Sequence, residues 1–188
     1  MERKVVFVGT PGSGVTTFLF RIQHQRMPDD ECTPYVMDNI HYFKRYEGND
    51  IVLSFWDTAG HEEYSRLRPL TYIGAEVFVL CYSFRDPASI SNISSKWFHE
   101  VQNYEPYAHI VVLGLQNSDI NAEIPAEIQQ FITTNGIRHF IADSPTGNGI
   151  QEFILGLLET CVSNTRHAYN KKTKKHEGSP QRKDFCRI

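Results

Sequence analysis

Apolar residues fall along the chain in two rhythms. Lys4 to Val8 is a short Val-rich run bounded by Gly9, which predicts a buried first strand. Phe18, Leu19 and Ile22 recur at helical spacing and predict a helix over Thr16 to Gln25. Met27 to Pro34, with two prolines and several acids, reads as loop. Residues 39–46 and 50–56 read as a hairpin about the turn Glu47-Gly48-Asn49. Glu76 to Phe84 and His109 to Leu113 are near-continuous apolar runs, typical of strands covered on both faces. Between them, Ile90, Ile93, Trp97 and Val101 mark one face of a helix over Ala88 to Tyr104. A short helix over Ala126 to Thr133 and a last strand over Arg138 to Ala142 follow. Ile150, Phe153, Ile154, Leu157, Leu158 and Cys161 give a final amphipathic helix.

Strands that alternate with helices and carry apolar residues on both faces predict an α/β fold, a mostly parallel sheet between two helical layers. No internal repeat is present. The length of 188 residues suits one domain over 1–164 and a short tail over 165–188.

Charge separates these two parts. The tail holds eight Lys or Arg against Glu177 and Asp184, a net +6, and the preceding residues carry a net −9. Such a tail suits contact with an anionic membrane surface; a solvated disordered terminus or a nuclear address fits it equally. Cys32, Cys81, Cys161 and Cys186 have no metal-ligand spacing and read as free thiols of a reducing compartment. With no signal peptide and no apolar run of spanning length, a cytoplasmic monomer is expected, with peripheral membrane contact through the tail and no nucleic-acid partner. Cys186 lies third from the end, which does not match the standard prenylation motif.

The first strand runs into Gly9-Thr10-Pro11-Gly12-Ser13-Gly14-Val15-Thr16-Thr17. Gly9, Gly14 and Thr16 keep the spacing of G-x-x-x-x-G-K-[ST], a loop whose amides wrap phosphate and whose hydroxyl holds Mg²⁺. Val15 stands where that pattern has lysine, the source of full positive charge on the β and γ phosphates. Alone, the segment reads more readily as a structural Gly-rich turn, a common device between a strand and a helix.

Later segments alter that balance. Phe55-Trp56-Asp57-Thr58-Ala59-Gly60 resembles the W-D-T-A-G motif of small GTPases. Glu62, Glu63, Tyr64 and Arg66-Leu67-Arg68-Pro69-Leu70 resemble the second switch of the Rho family, and Val36-Met37-Asp38-Asn39 its effector segment. Asp86-Pro87-Ala88-Ser89 and Lys96-Trp97-Phe98-His99-Glu100-Val101 resemble Rho segments along the third helix. Over about residues 4 to 162 the chain thus resembles a Rho-like small GTPase of the Ras superfamily. The resemblance implies a P-loop, three-layer α/β/α fold with six strands, five of them parallel, and five helices.

It further implies GTP or GDP and Mg²⁺ as ligands, with Gly9, Gly12, Gly14, Thr16, Thr17, Gly60, Gln116, Asp119 and Ser144 at nucleotide positions and Thr16 and Asp57 at the metal. Effector or regulator proteins would meet Val36, Met37, Asp38, Asn39, Tyr64, Leu67 and Leu70. Four positions depart from the family pattern. Val15 replaces the lysine; Tyr35 follows Pro34 where the Mg²⁺-ligating threonine is expected; His61 replaces the water-orienting glutamine; Pro145, which has no N–H, replaces the alanine that donates to guanine O6. Met27 stands for the aromatic cover of the base, and the guanine-specifying acid is either Ser118 or, one residue on, Asp119. The helical insertion typical of Rho proteins is absent by length.

Loss of the lysine, the O6 donor and the base-pairing acid would cost roughly 4–9 kcal/mol. Set against a picomolar parent at about −16 kcal/mol, that leaves nanomolar to micromolar binding or weaker. Hydrolysis depends on electrostatic placement, so Val15, Tyr35 and His61 together predict negligible turnover. Three functions follow: an interaction protein that acts without nucleotide, a slow atypical GTP switch, or a structural subunit. The departures favour nucleotide-independent action over the switch.

Overall fold

A computed structural model describes residues 1–29, 37, 39–116 and 123–162. Six strands, β1 (Glu2–Gly9), β2 (Ile40–Tyr46), β3 (Asn49–Trp56), β4 (Val77–Ser83), β5 (His109–Gln116) and β6 (Arg138–Asp143), form one sheet in the order β2-β3-β1-β4-β5-β6. Only β2 is antiparallel. The β2–β3 hairpin closes through Glu47 at φ 46° and Gly48 at φ 77°, the paired left-handed conformation whose twist matches that of the strands.

Alternation along each buried strand divides the core into two layers. On β4, Val77, Val79 and Cys81 join Phe7, Phe18, Phe55, Phe153 and Leu157 on one face. Phe78, Leu80 and Tyr82 join Tyr72, Trp97, Val101 and Phe131 on the other. The first layer is capped by α1 (Val15–His24) and by the last helix, α5, which covers 150–162. The second is capped by α2 (Pro87–Asn92), α3 (Phe98–Tyr104) and α4 (Ala126–Asn135). Burial on both faces is what the unbroken Val-rich runs require.

The expected helix over Ala88 to Tyr104 is one continuous rod with a π turn at Ile93–Trp97, which divides it into α2 and α3. Its start is fixed by Asp86, whose carboxylate accepts from the Ala88 N–H, and by Pro87 in the first turn. The rod, α1, α4 and α5 make four helical units among the described residues, not the five the resemblance implies. Two 3₁₀ turns, Glu62–Tyr64 and Arg68–Thr71, occupy the second-switch segment. From Glu123 the chain leads directly to α4, and no additional helix stands before β6 among the described residues.

Candidate functional site

The carboxyl ends of β1 and β3 open into a cavity of about 390 Å³ lined by Gly9 to Thr17 and Asp57 to His61. The loop curls because Gly12 (φ 81°) and Gly14 (φ 95°) adopt left-handed conformations that side chains resist. Gly14 then caps the N-terminus of α1, so the positive end of that helix faces the cavity. A Cβ on Gly60 would stand 2.2 Å from the Gly9 carbonyl oxygen, so the two loops touch backbone to backbone.

The Thr16 hydroxyl donates to Asp57 Oδ2 at 2.8 Å, and the Met37 N–H donates to the same oxygen at 3.0 Å. Asp57 is buried, and that desolvation raises its pKa despite these bonds. Thr58 is fixed by its hydroxyl bond to the Phe7 carbonyl at 2.6 Å. A hydroxyl beside a desolvated carboxylate fits a Mg²⁺ ion, which would restore the ionised form. The Ser13 hydroxyl is buried with no hydrogen-bond partner, a polar atom left within the phosphate cradle. Hydroxyl, carboxylate and wrapped amides therefore fit a metal–phosphate group.

The charge does not. No Lys or Arg is among the described residues that line the cavity. Val15 is only 8% exposed and belongs to the core layer under α1, with Cγ2 about 3.2 Å from where a Gly9 Cβ would stand. Lys4, near the opposite end of β1, gives its ammonium to the Ile73 carbonyl at 2.9 Å and lies over the Trp56 ring. Among the described lining residues, phosphate charge would thus meet backbone dipoles, hydroxyls and whatever cation Thr16 and Asp57 hold, with no Lys or Arg side chain.

The other predicted positions divide into three groups. Gln116 ends β5 opposite Asp143, and Ser144 is buried with its carbonyl accepting from Arg21 Nε at 3.1 Å. Pro145 is half-buried between Ser144 and Thr146. His61 is exposed on the cavity rim; Leu67 (59%) and Leu70 (64%) stand out from the second-switch segment, with Tyr64 nearby and Asn39 exposed at the start of β2. Val36, Asp38, Tyr35, Thr33, Asp119 and Ser118 lie outside the described residues, so the register of the base-specifying segment does too.

Sequence reasoning missed the anchors. Arg68 is wholly buried; it bonds both Glu100 oxygens, the Ala59 carbonyl at 2.8 Å and the His61 carbonyl at 3.3 Å. Thr10 Oγ1 accepts from Asn92 Nδ2 at 3.1 Å and Trp97 Nε1 at 3.2 Å. The phosphate loop and the following segment are thus tied to one helical rod. Polar residues flanking the π turn were the available signal.

Comparison with known proteins agrees with this geometry. The Ras family model matches residues 4–163. The GTP-binding protein rho4 of Schizosaccharomyces pombe is 41% identical over 117 residues, 61% of this chain and 57% of that protein. The Ras-like GTP-binding protein RHO1 of Entamoeba histolytica is 37% identical over 113 residues, 60% of this chain and 52% of that protein. The matches span a little over half the length of these curated relatives. With the six-stranded sheet, the glycine loop and the Thr16–Asp57 pair in place, the chain belongs to the Ras family of small GTPases and is Rho-like within it.

Proposed function

We propose that this chain is a signalling protein of the Rho type that acts chiefly through protein–protein contact, with weakened GTP binding and negligible hydrolysis. The observation that carries this reading is Val15, folded into the core beside a phosphate cavity without a lysine or arginine among its described lining residues. A full cationic partner contributes about 1.5–3 kcal/mol per charged hydrogen bond, and backbone amides recover only part of it. His61 at the rim lacks the amide head that orients an attacking water in the family. Contact with partners would fall on Met37 and Asn39 and on Tyr64, Leu67 and Leu70, with the two leucines exposed on a segment that Arg68 holds from beneath. The tail over 165–188 would add attraction to an anionic membrane of about 1 kcal/mol per basic residue near the surface.

A second reading, a slow GTP switch, is favoured by one pair: Thr16 and Asp57 retain the arrangement a Mg²⁺ ion needs. Nucleotide released by denaturing the purified chain separates the two. Near-stoichiometric GDP or GTP would overturn the first reading; a folded, empty protein with no heat on titration with Mg²⁺ and GTP supports it.

A further inference from the structure

A second cavity, about 370 Å³, lies between α1, β2 and the start of α5, behind the loop that carries Ser144. That volume is within the usual range of small-molecule pockets. Its described walls include Arg21, Gln25, Tyr42, Gly147, Ile150 and Gln151, and no acidic side chain. Arg21 uses Nε on the Ser144 carbonyl, 3.1 Å away, and makes no ion pair among the described residues. Its Nη2 would be 3.1 Å from a Cβ on Gly147, so the missing side chain at φ 83° leaves room for the guanidinium head. The Asp143 carboxylate, in the adjoining loop, receives the Thr146 hydroxyl at 2.5 Å. Ile150 and Gln151 begin α5, so the positive end of that helix opens on the same space.

A half-buried arginine with no acid paired to it among the described residues, in a polar recess of ligand size, suits an oxyanion that its planar fork can grip. We propose that this recess binds a small organic oxyanion, a phosphomonoester or carboxylate, through the Nη groups of Arg21 and the Gln151 amide in the first turn of α5, where the Ile150 N–H is already turned to the Gly147 carbonyl at 3.4 Å, with the Tyr42 ring as its side wall. The site is separate from the Gly9–Thr17 cavity and does not depend on how that cavity treats nucleotide.

Amide NMR of the full chain tests it, with inorganic phosphate and acetate titrated separately. Saturable shifts at Gly147, Ile150 and Gln151 are expected; phosphate alone or acetate alone would identify the preferred oxyanion. Arg21→Gln should weaken that response at least about tenfold, with the response of Gly12 and Gly14 unchanged. Gln151→Glu leaves the Ser144 contact intact and sets a like charge in the recess. It should weaken binding comparably, and it decides the matter if Arg21→Gln does not fold. Shifts confined to Gly12–Thr17, shifts that never saturate, or native affinity in the folded variants would overturn the proposal.

Discussion

Arg68 and Glu100 form a two-pronged ion pair, Nε to Oε1 at 2.9 Å and Nη2 to Oε2 at 3.2 Å, with the arginine side chain fully shielded from water and the glutamate 18% exposed. The same guanidinium lies 4.8 Å from the Trp97 ring centre, and Tyr72 donates its hydroxyl to Glu100 at 2.7 Å. Arg68→Ala would leave that carboxylate without its countercharge, held by the Tyr72 hydroxyl, and would strand the Ala59 and His61 carbonyls. A loss of about 3–5 kcal/mol is expected in urea denaturation. Amide exchange over 59–72 should quicken along with it; native exchange rates there would mean that the segment is held by something else.

Restoring the missing charge gives a second test. Val15→Lys should raise affinity for GTP and GDP by about 1.5–3 kcal/mol, roughly 10- to 150-fold, in calorimetric titration with Mg²⁺. The same change removes a core side chain and should lower the stability of the nucleotide-free protein by about 1–3 kcal/mol. Unaltered affinity would show that the valine is not what limits phosphate binding.

Asp57 has a pKa raised by burial, so the fold holds the protonated form better than the unfolded chain does. Its contribution is present below the unfolded value of 3.8 and is lost as pH rises through the folded value. Asp57→Asn keeps an oxygen for the Thr16 hydroxyl and the Met37 N–H without the charge. The variant should melt higher than the native protein at pH 7, lose that advantage at acid pH, and show no stabilisation by Mg²⁺. A lower melting temperature at pH 7 would contradict the assigned cost of the buried charge.

Burial lowers the pKa of His139 from 6.5 to about 4, and Nε2 lies 3.1 Å from the Tyr82 hydroxyl. The depressed folded value means that the neutral ring contributes fully above pH 6.5 and less as the pH falls towards 4. About 1–3 kcal/mol rides on this residue. Stability measured at pH 7 and pH 4.5 should diverge less in His139→Phe than in the native chain; equal divergence would assign the acid sensitivity elsewhere.

Strands were legible because each buried one has few alternatives to a Val, Ile or Leu run. β4 and β5 came within a few residues of their expected limits. That Thr16 and Asp57, distant in sequence, meet was legible only through family spacing, since periodicity says nothing about which loops meet. Arg68 illustrates the opposite case. A charged residue in a polar segment reads as solvated, and its burial depends on Glu100, Trp97 and two carbonyls brought together by the fold. Arg21 sits on what a helical wheel presents as the polar side of α1, and only the neighbouring loop makes it the wall of a recess. The π turn escaped detection because Ile93, Trp97 and Val101 satisfy an ordinary helical repeat.

That wider turn makes residue count a structural quantity. Positions five apart on an α-helix point about 140° away from each other, whereas a wider π turn brings them to within roughly 50°. Asn92 and Trp97 are five apart, and both donate to Thr10 Oγ1. Winding the same residues as a plain α-helix, with none removed, would leave every donor in the chain and tighten the turn. The two side chains would then swing apart, and the phosphate loop would lose a tether through arithmetic alone.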